Sequence, residues 1–152
     1  MQKKPVTAVA LAATAALVVA AFAPGSTNKS SKVSAALTAK AEVPAPKGVP
    51  AGTKGSFIGT YVTNAKGATL KWKLSFSGLS GPAAAAHIHK GKPGTAGPVI
   101  VPLCGPCKSG QSGTATISKD VIAALKSGGA YVNVHTAKNG NGEIRGQVKV
   151  AG

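Results

Sequence analysis

Leu70, Trp72, Leu74 and Phe76 alternate strictly with Lys71, Lys73 and Ser75. A period of two puts every apolar side chain on one face of an extended strand, whereas a helix would scatter them around its axis. The segment is therefore a half-buried strand, and Trp72 is its core anchor. A single strand cannot bury that face, so partners must lie elsewhere in the chain. Gly55–Val62 supplies one, joined to Thr69–Ser77 as a hairpin across 63–68, with the Lys66-Gly67 step making the turn. Further strands are expected at Val33–Ala41, Val99–Leu103, Gly110–Ile117 and Glu143–Val150. In the last, Ile144, Val148 and Val150 face the core, and Glu143, Arg145, Gln147 and Lys149 face away. Ser118 is placed to cap one short helix through Val121–Leu125, stopped by Gly128-Gly129. Many short strands with turns between them and one brief helix predict an all-β, antiparallel sandwich or barrel.

The chain opens Met1-Gln2-Lys3-Lys4, runs through an Ala/Val/Leu segment to Ala23 and turns polar at Pro24. A basic start, a short apolar run and small residues at its end predict a signal peptide over residues 1–23. The run is short and alanine-rich for a membrane span, which favours cleavage over anchoring. The expectation is a secreted protein, extracellular or associated with the cell wall, with no membrane span in the mature form. Residues 24–32 are polar and aperiodic and read as a flexible linker, which leaves 33–152 as one domain.

Eighteen Lys and Arg stand against three acids, Glu42, Asp120 and Glu143, for a formal net charge of +15. Such an imbalance attracts polyanions, for example anionic cell-wall or extracellular polymers. Nucleic acid is disfavoured as a partner: Arg145 is the sole arginine, aromatics are sparse, and no basic helix or stacking platform is present. The plainer reading is a solvated, soluble basic surface.

The chain's three histidines fall in two further strand-like segments. In Ala84–His89, Ala84, Ala86 and Ile88 share one face and His87 and His89 the other, about 6.6 Å apart along the strand. In Tyr131–Thr136, Val132 and Val134 are apolar-side, leaving Tyr131, Asn133 and His135 opposite. Three imidazoles without carboxylates suit copper or zinc rather than magnesium or calcium. Convergence of His135 with the other two needs distant strands to be neighbours, which spacing does not determine. Glu143 and Arg145 closely follow His135 and are candidates for support of the site or steering of a substrate, or else form an exposed cross-strand ion pair. The glycine-rich segment Lys90–Pro98 is able to fold tightly beside the histidines.

Cys104-Gly105-Pro106-Cys107 has the spacing of a thiol redox motif, yet Lys108–Gly113 cannot propagate the helix that such a motif needs to lower a thiol pKa. In an exported chain Cys104 and Cys107 instead read as a local disulfide. Few acids, no Gly-x-Ser-x-Gly turn and no phosphate-binding glycine loop argue against hydrolytic and phosphoryl-transfer chemistry.

Leu37–Pro44, Gly78-Leu79, Ala86–Gly91, Gly97-Pro98-Val99 and Tyr131–Thr136 through Gly142–Val148 together resemble a CHRD domain, over about Val33 to Val150. The module is widespread in secreted bacterial proteins, so the resemblance implies an extracellular domain. A fainter similarity links His-x-His, the following Ala-Gly-Pro and the later Val-x-His to the copper half of the copper-zinc superoxide dismutases. That similarity implies a Greek-key β-sandwich, superoxide-dismutase-like or immunoglobulin-like. It also implies copper ligation by His87, His89 and His135 and a steering role for Arg145; the bridging histidine and the zinc ligands have no counterpart. Three functions follow. The first is a non-catalytic extracellular binding module, with a copper or zinc ion on the three histidines. The second is a copper-only oxidoreductase of dismutase-like fold. The third is a basic structural protein of the cell wall whose histidines hydrogen-bond the glycine loop.

Overall fold

The computed structural model describes Gln2 and residues 28–151, so the signal-peptide reading of 1–23 and the first linker residues fall outside what it covers. The described residues form β1 (Ser30–Thr38), β2 (Lys54–Thr63), β3 (Gly67–Ser77), β4 (Ala83–Lys90), β5 (Val99–Cys104), β6 (Gln111–Ser118), β7 (Ala130–Thr136), β8 (Ile144–Gln147) and β9 (Lys149–Ala151). One helix, α1 (Lys119–Lys126), lies between β6 and β7.

The alternating strand is β3, flanked by β2 and β6. Every strand pairing is antiparallel, and the order along the sheet is β5-β4-β7-β8-β1-β2-β3-β6, with β9 added beside β1. The ends of this path, β5 and β6, approach each other, so the sheet curls into a nearly closed, sandwich-like barrel. Its interior holds Leu37, Phe57, Tyr61, Leu70, Trp72 and Leu74 from one half and Ala86, Ile88, Val132, Val134 and Ile144 from the other. The period-two expectations for these strands hold because each has one face in this interior.

Ser118 caps α1 by accepting a hydrogen bond from the Val121 N–H at 3.3 Å, and the helix buries Val121, Ile122, Ala124 and Leu125. Burying a leucine such as Leu125 stabilises the fold by roughly 2 kcal/mol. Cys104 and Cys107 are joined, with Sγ atoms 2.09 Å apart, in the loop that leaves β5.

Three elements differ from expectation. β1 begins at Ser30, because Ser30–Lys32 of the supposed linker pair with Thr60–Val62. It ends at Thr38 in a 3-10 turn, Ala39–Ala41. The β2–β3 turn is made by Asn64, whose Oδ1 accepts from the N–H groups of Lys66 and Gly67 at 2.9 Å each. Gly67 serves another purpose, since a Cβ there would overlap the Ile117 carbonyl of β6. The last expected strand is two strands, since the Val148 N–H turns aside to the Ala130 carbonyl at 2.9 Å. β8 can then pair with β7, and β9 with β1.

A candidate metal centre

Outside the core, β4, β7 and β8 carry a second, polar layer. The register sets His89 beside Tyr131 and Tyr131 beside Gln147, then His87 beside Asn133 and Asn133 beside Arg145. His135 falls opposite Ala85, beyond His87. Pairing of β4 with β7 therefore gathers all three histidines on one face, with one ring nitrogen of each within 4.8 Å of the others. The ring centroids are 5.0 Å apart for His87–His135, 5.6 Å for His87–His89 and 5.9 Å for His89–His135.

Two loops hold these rings. His89 Nδ1 lies 2.8 Å from the Gly97 carbonyl oxygen, and His135 Nδ1 lies 3.0 Å from that of Gly140. A carbonyl only accepts, so both Nδ1 atoms carry the proton and both Nε2 atoms offer lone pairs. His89 is 8 % exposed, and its Nε2 is buried without a partner. His87 turns the other way, with Nδ1 3.1 Å from His135 Nε2. Burial foremost, then the neighbouring His135 and His89, holds the His87 imidazole below its ordinary pKa. His135 is likewise lowered, mainly by burial, against the opposing pull of its Gly140 hydrogen bond. Both effects keep the rings neutral, the state in which imidazole ligates metal.

Glu143 and Arg145 point away from the core as expected, but they are not exposed and do not pair with each other. They are 0 % and 1 % exposed, because the two loops close over them. Glu143 accepts from the Ser80 N–H at 2.6 Å, from Thr136 Oγ1 at 2.6 Å and from Asn139 Nδ2 at 3.0 Å, and also from the Ser80 hydroxyl. It thereby ties down the 137–142 loop that presents Gly140 to His135. Arg145 donates through Nη2 to the carbonyls of Lys92 and Thr95 at 3.0 and 2.9 Å, securing the loop that presents Gly97 to His89. Its guanidinium lies 3.4 Å over the Tyr131 ring, and Tyr131 stacks on His89 with centroids 5.0 Å apart and planes at 10°. Since β4 and β8 flank β7, imidazole and guanidinium reach Tyr131 from opposite sides.

Gly97 is required in this arrangement, because a Cβ would overlap the Lys90 carbonyl of β4. The Tyr131 hydroxyl also accepts the Gly97 N–H at 3.2 Å. Sequence periodicity put Tyr131 on the histidine face but gave no sign of its stacking role, and nothing local singled out Gly140.

The residues fit a metal ion: one ring nitrogen of each histidine converges within 4.8 Å of the others, the other nitrogen of His89 and His135 is already held by a carbonyl, and a bound ion would take the place of the His87 Nδ1 proton that bridges to His135 Nε2. Orientation of that kind fixes the tautomer of a ligating histidine.

A nearly closed antiparallel barrel with a three-histidine cluster under two loops is the class of protein that this fold and site define. The chain matches the CHRD domain over residues 33–148 and belongs to the CHRD family, whose members are extracellular-type domains. No curated protein and no solved structure matches it. Among the described residues no helix is long and apolar enough to cross a membrane.

Proposed function

We propose that this chain is a secreted CHRD binding module that takes one copper or zinc ion on His87, His89 and His135. The observation that carries the reading is the unpartnered, buried Nε2 of His89 facing two further imidazole nitrogens. A buried lone pair left without a donor is costly, and a cation satisfies it together with its neighbours. Three neutral imidazoles bind copper(II) more tightly than zinc. A bound ion would supply Lewis acidity, and copper would add one-electron redox capacity. Glu143 and Arg145 act as positioning residues, each holding the loop that orients one histidine.

The dismutase-like reading, with its Greek-key sandwich and substrate-steering arginine, is the catalytic alternative. It needs Arg145 to meet an anionic substrate, and Arg145 is 1 % exposed with its Nη2 on backbone carbonyls. That burial favours the non-catalytic module.

Calorimetric titration of copper and zinc tests the proposal. One ion per chain should bind tightly, and His89→Ala and His135→Ala should each abolish that binding while the protein stays folded. Weak binding indifferent to both substitutions would overturn it. Superoxide consumption by the copper-loaded protein would favour the catalytic alternative.

A further inference from the structure

The half of the barrel away from the histidines exposes a different surface. On β1, β2, β3, β6 and β9 the inward residues fill the core, and the outward ones form cross-strand rows. One row reads Ala151, Lys32, Thr60, Lys71, Thr114, and the next Lys149, Ser34, Ile58, Lys73, Ser112. Lys32, Lys71, Lys73 and Lys149 are all exposed, and Ile58 is 55 % exposed between them. A groove of about 630 Å³ is lined by Lys32, Lys71 and Lys73 together with Ser34, Ile58 and Thr60.

No acid lies on any of these strands. The chain's three acids are Glu42 and Glu143, buried near the histidines, and Asp120 on α1. Among the described residues the charged side chains of this face are therefore of one sign. Neighbouring strands lie about 4.8 Å apart and same-face residues along a strand about 6.7 Å, so the ammonium groups form a two-dimensional array with hydroxyls between them.

We propose that this face binds an anionic polysaccharide. The lysines meet its carboxylate, sulfate or phosphate groups, and the interleaved Ser34, Thr60, Ser112 and Thr114 hydroxyls meet its sugar hydroxyls. Charge complementarity decides the occupant. A second copy of the chain would set lysines against lysines. Nucleic acid wants arginine and exposed rings, but Arg145 is buried, as are Trp72, Tyr61, Phe57 and Tyr131. A bilayer wants a broad apolar face to insert, and this one offers only Ile58 and, a row further on, Val62 at 41 % exposure.

The test compares two variants of equal net charge made in the full chain. One is the face variant Lys32→Gln/Lys71→Gln/Lys73→Gln, and the other is the control Lys40→Gln/Lys108→Gln/Lys119→Gln. Each is titrated with polygalacturonate, neutral pullulan, duplex DNA and phosphatidylserine-containing vesicles at low and high salt. The face variant should lose about tenfold in polygalacturonate affinity at low salt, as three exposed ion pairs would. The control should change little, the corresponding Lys→Arg triple should bind like the parent, and pullulan should not bind. Equal losses in face variant and control would overturn the proposal in favour of diffuse attraction by net charge. DNA or vesicles binding as tightly as polygalacturonate through the same lysines would also overturn it.

Discussion

Glu143 accepts hydrogen bonds from Ser80, Thr136 and Asn139, whereas Glu42, 4 % exposed, keeps Oε2 buried without a partner. For Glu143 burial raises the pKa most strongly among single causes, but the hydrogen bonds from Ser80, Thr136 and Asn139 together leave it lowered. For Glu42 burial dominates and raises it, against the Val43 N–H, Arg145 and Asn133. A lowered carboxyl pKa contributes stability that is present above the unfolded value and lost as pH falls through the folded one; a raised pKa does the opposite. Glu143→Gln should thus lose on the order of 3 kcal/mol at pH 7, with the loss shrinking in acid as the parent is itself protonated. Glu42→Gln should be the more stable at pH 7, by an amount on the order of 1 kcal/mol, and the difference should shrink toward zero at about pH 3, below the usual carboxylate range. Denaturant unfolding of both variants at the two pH values checks the signs, and a matching sign at pH 7 would contradict the account. None of this was legible in the sequence, which puts Glu143 on the outward side of its strand by parity and leaves its burial open. Parity reports which face a side chain takes; whether that face is wet depends on loops distant in the chain, here those at 78–81 and 137–142.

At the scale of elements, the 91–97 loop is tied at several points to the sheet beneath. Lys90 donates its N–H to the Pro98 carbonyl at 2.9 Å, Arg145 grips Lys92 and Thr95, and Gln147 Nε2 donates to the Gly91 carbonyl at 2.7 Å. Gly97→Ala drives a methyl into the Lys90 carbonyl, so the loop must lift and withdraw its hold on His89 Nδ1. Copper affinity should fall by about 10- to 100-fold, the range typical when the group orienting a ligating histidine is removed. Some global stability would be lost with it, because lifting the loop also withdraws the Lys92 and Thr95 carbonyls from buried Arg145, and metal titration of the still-folded variant, with thermal unfolding as its control, separates the two. An unchanged affinity would mean that the loop does not set the ring. The glycine-rich composition made a tight loop beside the histidines legible. Which carbonyl meets which ring was not, because that depends on the hairpin closing over β4 to within a hydrogen bond. The β2–β3 turn shows the same limit: Lys66-Gly67 looked like the turn, yet Asn64 makes it, and Gly67 is needed for the close approach of β6.

For the whole molecule, the alternating strands, the single helix and the Trp72 anchor could be read from periodicity, since each is set by residues close in sequence. The meeting of His135 with His87 and His89 could not, because it rests on β4 pairing with β7 across some forty residues. Charge distribution likewise emerges only in three dimensions. Two of the three acids are withdrawn beneath the loops, so the exposed charged side chains are almost all lysines. A metal cation and a polyanion thus feel the same field with opposite sign. Added salt should tighten copper binding while loosening polysaccharide binding. Parallel titrations at 20 and 300 mM salt would show it, and a shared direction would contradict this picture. By reciprocity, at low ionic strength an anionic chain lying on the lysine rows would offset part of that field and raise the affinity of the histidines for an ion, and a bound ion would tighten the grip on the chain. The two surfaces, on opposite halves of the barrel, are in this sense conversant through the field alone, with no part of the fold needing to move.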